Sequence, residues 1–173
     1  MTRFGFKELD EDTWLEPDFI SHAFVRMGPD GEPIRMEAQD WLRLILAPKL
    51  IPSVPEDVQA LFEVGRAAML YGWFFYPLYT LSTEQLFRVG EAAVDHRCQS
   101  APKAIIKGSF SQRLKWLASK DLIPVNQLSK WEALRDLRNA ASHPQRQQIM
   151  TPGNAVGLLE GISDSINGLF SGA

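Results

Sequence analysis

The stretch Ser129-Lys130-Trp131-Glu132-Ala133-Leu134-Arg135-Asp136-Leu137-Arg138-Asn139-Ala140-Ala141-Ser142-His143-Pro144 decides the fold class. With Trp131 at zero on a wheel of about 100° per residue, Leu134, Leu137 and Ala141 fall near ~300°, ~240° and ~280°. The four apolar positions make one core-facing arc, which is the period of an amphipathic helix and not of a strand. Pro144 disfavours the α conformation at His143, so a helix is expected over about 127–142. Arg138 falls near ~340° on the same wheel, inside the apolar arc. Burying a guanidinium without a partner costs several kcal/mol. Arg138 therefore has to pair with a helix-borne acid such as Glu91, reach the edge of the core, or line a cleft that receives an anion.

The same period recurs on both sides of this stretch. Ser53…Glu56, Ser82…Gln85, Ser109…Gln112 and Ser129…Glu132 each precede an apolar-periodic run and read as capping boxes. Leu81 and Leu86 are spaced for a hydrophobic staple around the second. The expected helices cover about 55–80, 82–99, 109–120, 127–142 and 152–170. The last begins with Thr151 as cap and Pro152 at the first helical position, and carries Leu159, Ile162, Ile166, Leu169 and Phe170 on one stripe. Gly157, Gly161 and Gly168 weaken it locally, so packing has to hold it. Further upstream, Phe24–Met27 and Ile34–Met36 flank Gly-Pro-Asp-Gly-Glu-Pro, which predicts a short β-hairpin. A helix–turn–helix fits nearly as well, because Glu37 to Leu46 is helical in pattern. Pro48, Pro52 and Pro55 then punctuate the chain. The reading is all-α: a bundle of about five helices at 53–173, behind an N-terminal extension, residues 1–52, in which the short hairpin would sit.

Composition agrees with a packed globule. The chain has 173 residues, 45% hydrophobic, with 10 Phe, 5 Trp and 3 Tyr, which argues against a disordered tail. Cys98 is its one cysteine, so no internal disulfide forms and a reducing, cytoplasmic compartment is expected. The acidic Glu8–Glu16 stretch follows the first residues where a signal sequence would carry its apolar core. The longest run without charge, residues 67–83, has 17 residues, short of the roughly 20 that a membrane span needs. Within it, Met69–Pro77 is rich in aromatic residues and reads as core or dimer interface in preference to a base-stacking platform. His96 and Cys98 diverge on a helix, so no metal site is expected, and no Gly-rich phosphate loop or nucleophilic triad can be assembled. Charge is unevenly placed: net −7 over residues 1–102, +6 over 103–146 and −2 over 147–173. The basic segment is where a phosphate-bearing partner would bind, unless it is an ordinary solvated face.

That segment ends in Arg138-Asn139-Ala140-Ala141-Ser142-His143. On one reading His143 simply finishes a helix where the dipole favours it; on the other, its imidazole swings back toward Arg138. Arg138-Asn139-x-x-x-His143 resembles the Arg-(four to six residues)-His motif of the HEPN superfamily (higher eukaryote and prokaryote nucleotide-binding domains). The resemblance spans about 55–170 and rests on the motif, the polar residue after its arginine, and the helix that follows. It implies a compact helical bundle and, in many members, a metal-independent ribonuclease without cofactor, working as a homodimer that brings two motifs to one cleft. Carried over, Arg138 would bind the scissile phosphate and His143 would be general base or acid, with Asn139 and Ser142 in support. Other members are non-catalytic nucleotide- or protein-binding modules, some within toxin–antitoxin or phage-defence systems. RNA or a nucleotide is the expected partner, and a protein partner would account for the acidic extension.

Overall fold

Hydrogen bonding and burial divide the chain into six α-helices and one β-hairpin in a computed structural model that describes residues 5–100, 108–141 and 151–171. A 3-10 helix, Phe19–Ala23, leads into β1 (Val25–Met27) and β2 (Pro33–Arg35). The helices are α1 (Ala38–Leu46), α2 (Glu56–Tyr71), α3 (Leu78–Gln99), α4 (Phe110–Ser119), α5 (Val125–Ala141) and α6 (Pro152–Phe170). The hairpin forms in preference to the helix–turn–helix. Its strands pair antiparallel with Arg26 opposite Ile34, and Gly31 at the turn takes a φ of +79°, where a side chain would be strained.

The core forms along α3. On one side α2 lies against it closely: the Ser82 hydroxyl donates to the Gly65 carbonyl at 2.6 Å, and a Cβ at Gly65 would meet Leu86 at 3.1 Å. On another side α6 lays down its expected stripe, with Leu159, Ile162, Ile166, Leu169 and Phe170 all buried. On a third, Trp131 and Leu134 of α5 reach Gly90, where an added Cβ would lie 2.8 Å from Leu134 and 3.5 Å from the Trp131 ring. The hairpin and α1 close the end of the bundle with an aromatic cluster in which the Trp41 and Tyr79 ring centroids are 5.4 Å apart and those of Phe24 and Trp73 are 5.8 Å apart. Met36, Trp41 and Ile45 thus share one core with α2 to α6.

Several local expectations are corrected. The break after the first long helix falls at Gly72, not near residue 81, so α2 stops at Tyr71 and α3 starts at Leu78. Gly72 is required there because a Cβ would stand 2.4 Å from the Tyr79 ring. The turn is tied down from far away: the Asp18 carboxylate accepts the Tyr76 N–H at 3.0 Å, and the Ser21 hydroxyl donates to the Trp73 carbonyl at 2.8 Å. Because α3 starts early, Ser82 lies inside it and caps nothing. Leu81 is exposed while Leu86 is buried, so no staple forms. Pro55 stands at the N-cap of α2 in place of Ser53, and Ser129 lies within α5. Ser109 and Thr151 do cap: Ser109 and Gln112 make a complete capping box, and Thr151 accepts from the Asn154 N–H. In the aromatic run, Met69, Trp73 and Tyr76 are buried in the core. Among the described residues, no helix is long and apolar enough to cross a membrane.

Candidate functional site

Helix α5 places Arg138 and Asn139 in its last turn, where the backbone dipole favours a cation. Trp131 and Leu134 anchor the helix to the core, but its apolar arc is narrower than the wheel implies. Leu137 is 47% exposed, a correction to its expected place in the core. The cause lies on α6, where Gly157 and Gly161 offer nothing within 4 Å of an added Cβ. Without side chains there, the two helices leave between them a groove of about 220 Å³, with Leu137 in its wall. A second cleft, about 360 Å³, lies between the hairpin, α1 and the start of α6. Neither has Arg138 in its lining.

Arg138 stands at the edge of the core rather than in it. Its Nη2 lies 2.9 Å from Glu91 Oε1 on α3, with side-chain exposures of 45% and 30%. Of the three outcomes open to an arginine at this wheel position, the pairing with Glu91 and the reach to the edge occur together. The neighbouring Asn139 is exposed. Ser142 and His143 lie outside the described residues, as does the side chain of Ala141.

A wider arrangement surrounds this pair, which the motif alone does not reveal. Glu91 and Asp95 stand one turn apart on α3. Arg138 from α5 meets the first, and Arg113 from α4 meets the second. Between α4 and α5, Arg135 Nη1 donates to the Ser111 hydroxyl at 3.3 Å and Arg135 Nη2 to Asp136 at 2.8 Å. Lys115 on α4, Lys120 just past its end and Lys130 on α5 are exposed. The signal available in the sequence was the i, i+4 spacing of the two acids on a helix facing the basic segment. Arg113 and Arg138 each meet an α3 carboxylate at this corner while Arg135 meets Asp136, and a phosphate oxygen can accept from a guanidinium in a carboxylate's place.

The weaker candidates are accounted for elsewhere. His96 Nε2 lies 2.6 Å from Asp57 at the start of α2, and that hydrogen bond holds the Asp57 carboxyl below its ordinary range. Cys98 is buried, and burial pushes its thiol up, away from the reactive thiolate. Among the described residues, no group of three or more His, Cys, Asp or Glu side chains is placed to hold a metal ion. Compared with known proteins, the chain matches no family model, no curated protein and no solved structure.

Proposed function

We propose that the protein is a cytoplasmic, homodimeric, HEPN-like ribonuclease that cuts RNA without a metal ion or cofactor. The observation that carries this reading is the position of Arg138: a guanidinium at the solvent edge of a helical bundle, on a salt bridge that an incoming phosphate can replace. Arg138 would bind the scissile phosphate and stabilise the charge that builds on its oxygens, with the Asn139 amide beside it for a second oxygen. His143 would take the proton of the ribose 2′-hydroxyl as that oxygen attacks phosphorus, or give a proton to the 5′-oxygen as the P–O5′ bond breaks. An ordinary imidazole pKa of about 6.5 suits either task. Ser142 would support the imidazole. The products would be a 2′,3′-cyclic phosphate and a 5′-hydroxyl.

The test is RNA cleavage in excess chelator. Wild type is expected to cut and leave cyclic phosphate ends, and His143→Ala to lose about 10²–10⁴-fold in rate. Absence of cleavage by wild type, or its loss on chelation, would overturn the reading. The same Arg138–Glu91 pair favours one alternative, a non-catalytic nucleotide- or protein-binding module in which the bridge is structural. Its signature would be a rise in melting temperature with nucleotide and no cut RNA.

A further inference from the structure

Residues 8–16 form a loop that is held firmly and turned outward. Lys7, 8% exposed, donates its ammonium to the carbonyls of Trp14 at 3.1 Å and Glu16 at 2.7 Å. Asp10 takes the N–H groups of Asp12 and Thr13 at 3.0 and 2.8 Å, and the Thr13 hydroxyl at 2.7 Å. The base is anchored by Phe6, edge-on to Phe75 at 5.7 Å. This scaffold presents Leu9, Trp14 and Leu15 to solvent at 65%, 57% and 63% exposure. Around them stand Glu8, Asp10, Glu11, Asp12 and Glu16, with no Lys or Arg between residues 8 and 16. A buried ammonium that fixes the backbone of a loop contributes little to a core when the loop's large side chains face water. It does lower the ordering cost of binding through those side chains, and tryptophan is among the residues that most often dominate an interface.

A groove open to such side chains lies between α5 and α6. Their groove of about 220 Å³ is mostly apolar, walled by Leu134, Leu137 and Ile162 over Gly157 and Gly161, and among the described residues Lys130 is the charged one that lines it. We infer that the 8–16 loop of one copy seats Trp14 and Leu15 in the α5–α6 groove of a second copy. Lys130 at the rim meets the loop's carboxylates, and the reciprocal contact closes a two-fold dimer. Two copies each supplying one loop and one groove satisfy every such surface without leaving an open end, which a one-way contact would not. The contact rests on the homodimer part of the proposed function and is independent of the RNA chemistry.

Sedimentation equilibrium of the full chain tests it, with far-UV circular dichroism as a check on folding. At an ionic strength of about 0.05 M, wild type is expected to dimerise, and less tightly at about 0.5 M, where the charge attraction is screened. Trp14→Ala with Leu15→Ala on the loop, and Leu137→Asp in the groove, should each weaken the dimer at least about tenfold while the fold is kept, since all three side chains are exposed. Lys130→Glu should weaken it several-fold, and adding Glu11→Lys should restore it. A folded wild type that stays monomeric at all accessible concentrations would overturn both the contact and the homodimer. A dimer indifferent to the loop and groove variants would overturn the contact alone.

Discussion

Trp131→Ala is expected to destabilise the protein by about 3–5 kcal/mol, the usual cost of truncating a large buried aromatic side chain. Trp131 is fully buried and sits where three helices meet. It faces Gly90 of α3, stands 6.5 Å centroid to centroid from Phe110 of α4, and carries α5 itself. Neither Gly90 nor the rigid backbone around it can fill the space left behind. For a chain of this length the melting temperature should fall by roughly 6–20 °C. The effect is one of packing, because the buried indole N–H has no hydrogen-bond partner among the described residues. Trp131→Phe, which removes that donor and keeps an aromatic ring, should therefore cost distinctly less. Urea unfolding of the two variants checks both statements; a loss below about 1 kcal/mol for the alanine variant would mean that α5 does not depend on this contact.

Arg138→Ala has the largest expected effect on function: RNA cleavage should fall by about 10²–10³-fold, as when one donor to a developing oxyanion is removed. The same substitution should change stability by less than about 1 kcal/mol. Both side chains of the Arg138–Glu91 pair are partly exposed, at 45% and 30%, and ion pairs in such surroundings contribute roughly 0.2–1 kcal/mol. A bridge that held α5 to α3 would behave in the opposite way, with stability falling by about 3–5 kcal/mol as Glu91 lost its partner. Activity and urea unfolding measured on one preparation separate the two cases.

What the sequence conveyed about this molecule was mostly local. The α6 stripe from Leu159 to Phe170 was legible because helical periodicity and burial coincide there, and Ser109 and Thr151 were legible as caps because their partners lie three residues away. The turn residues pointed to the hairpin that forms but left a helix–turn–helix nearly as good. The α2–α3 corner was not legible, because Asp18 and Ser21 hold it through contacts that span more than fifty residues. Ser82 misled for a related reason: its hydroxyl serves the close approach of α2 at Gly65 and not a helix end. Leu137 looked like core because a wheel describes one helix, whereas its exposure is set by missing side chains at Gly157 and Gly161 on another. At the candidate site, the oddity of Arg138 in an apolar arc and its pairing with Glu91 could be anticipated. The second pair, Arg113 with Asp95, needed the packing of α4 on α3 to appear.

The account turns on whether Arg138 is available to a phosphate, and the affinity of Glu91→Gln for a short single-stranded RNA tests that most directly. Glu32→Gln, an equal change of charge on the exposed hairpin turn, is the control. Removing the carboxylate that occupies Arg138 should tighten RNA binding several-fold beyond the control, with stability lowered by less than about 1 kcal/mol. RNA binding no tighter than the control's, together with a stability loss of about 3–5 kcal/mol, would show the pair to be a structural bridge and contradict the account.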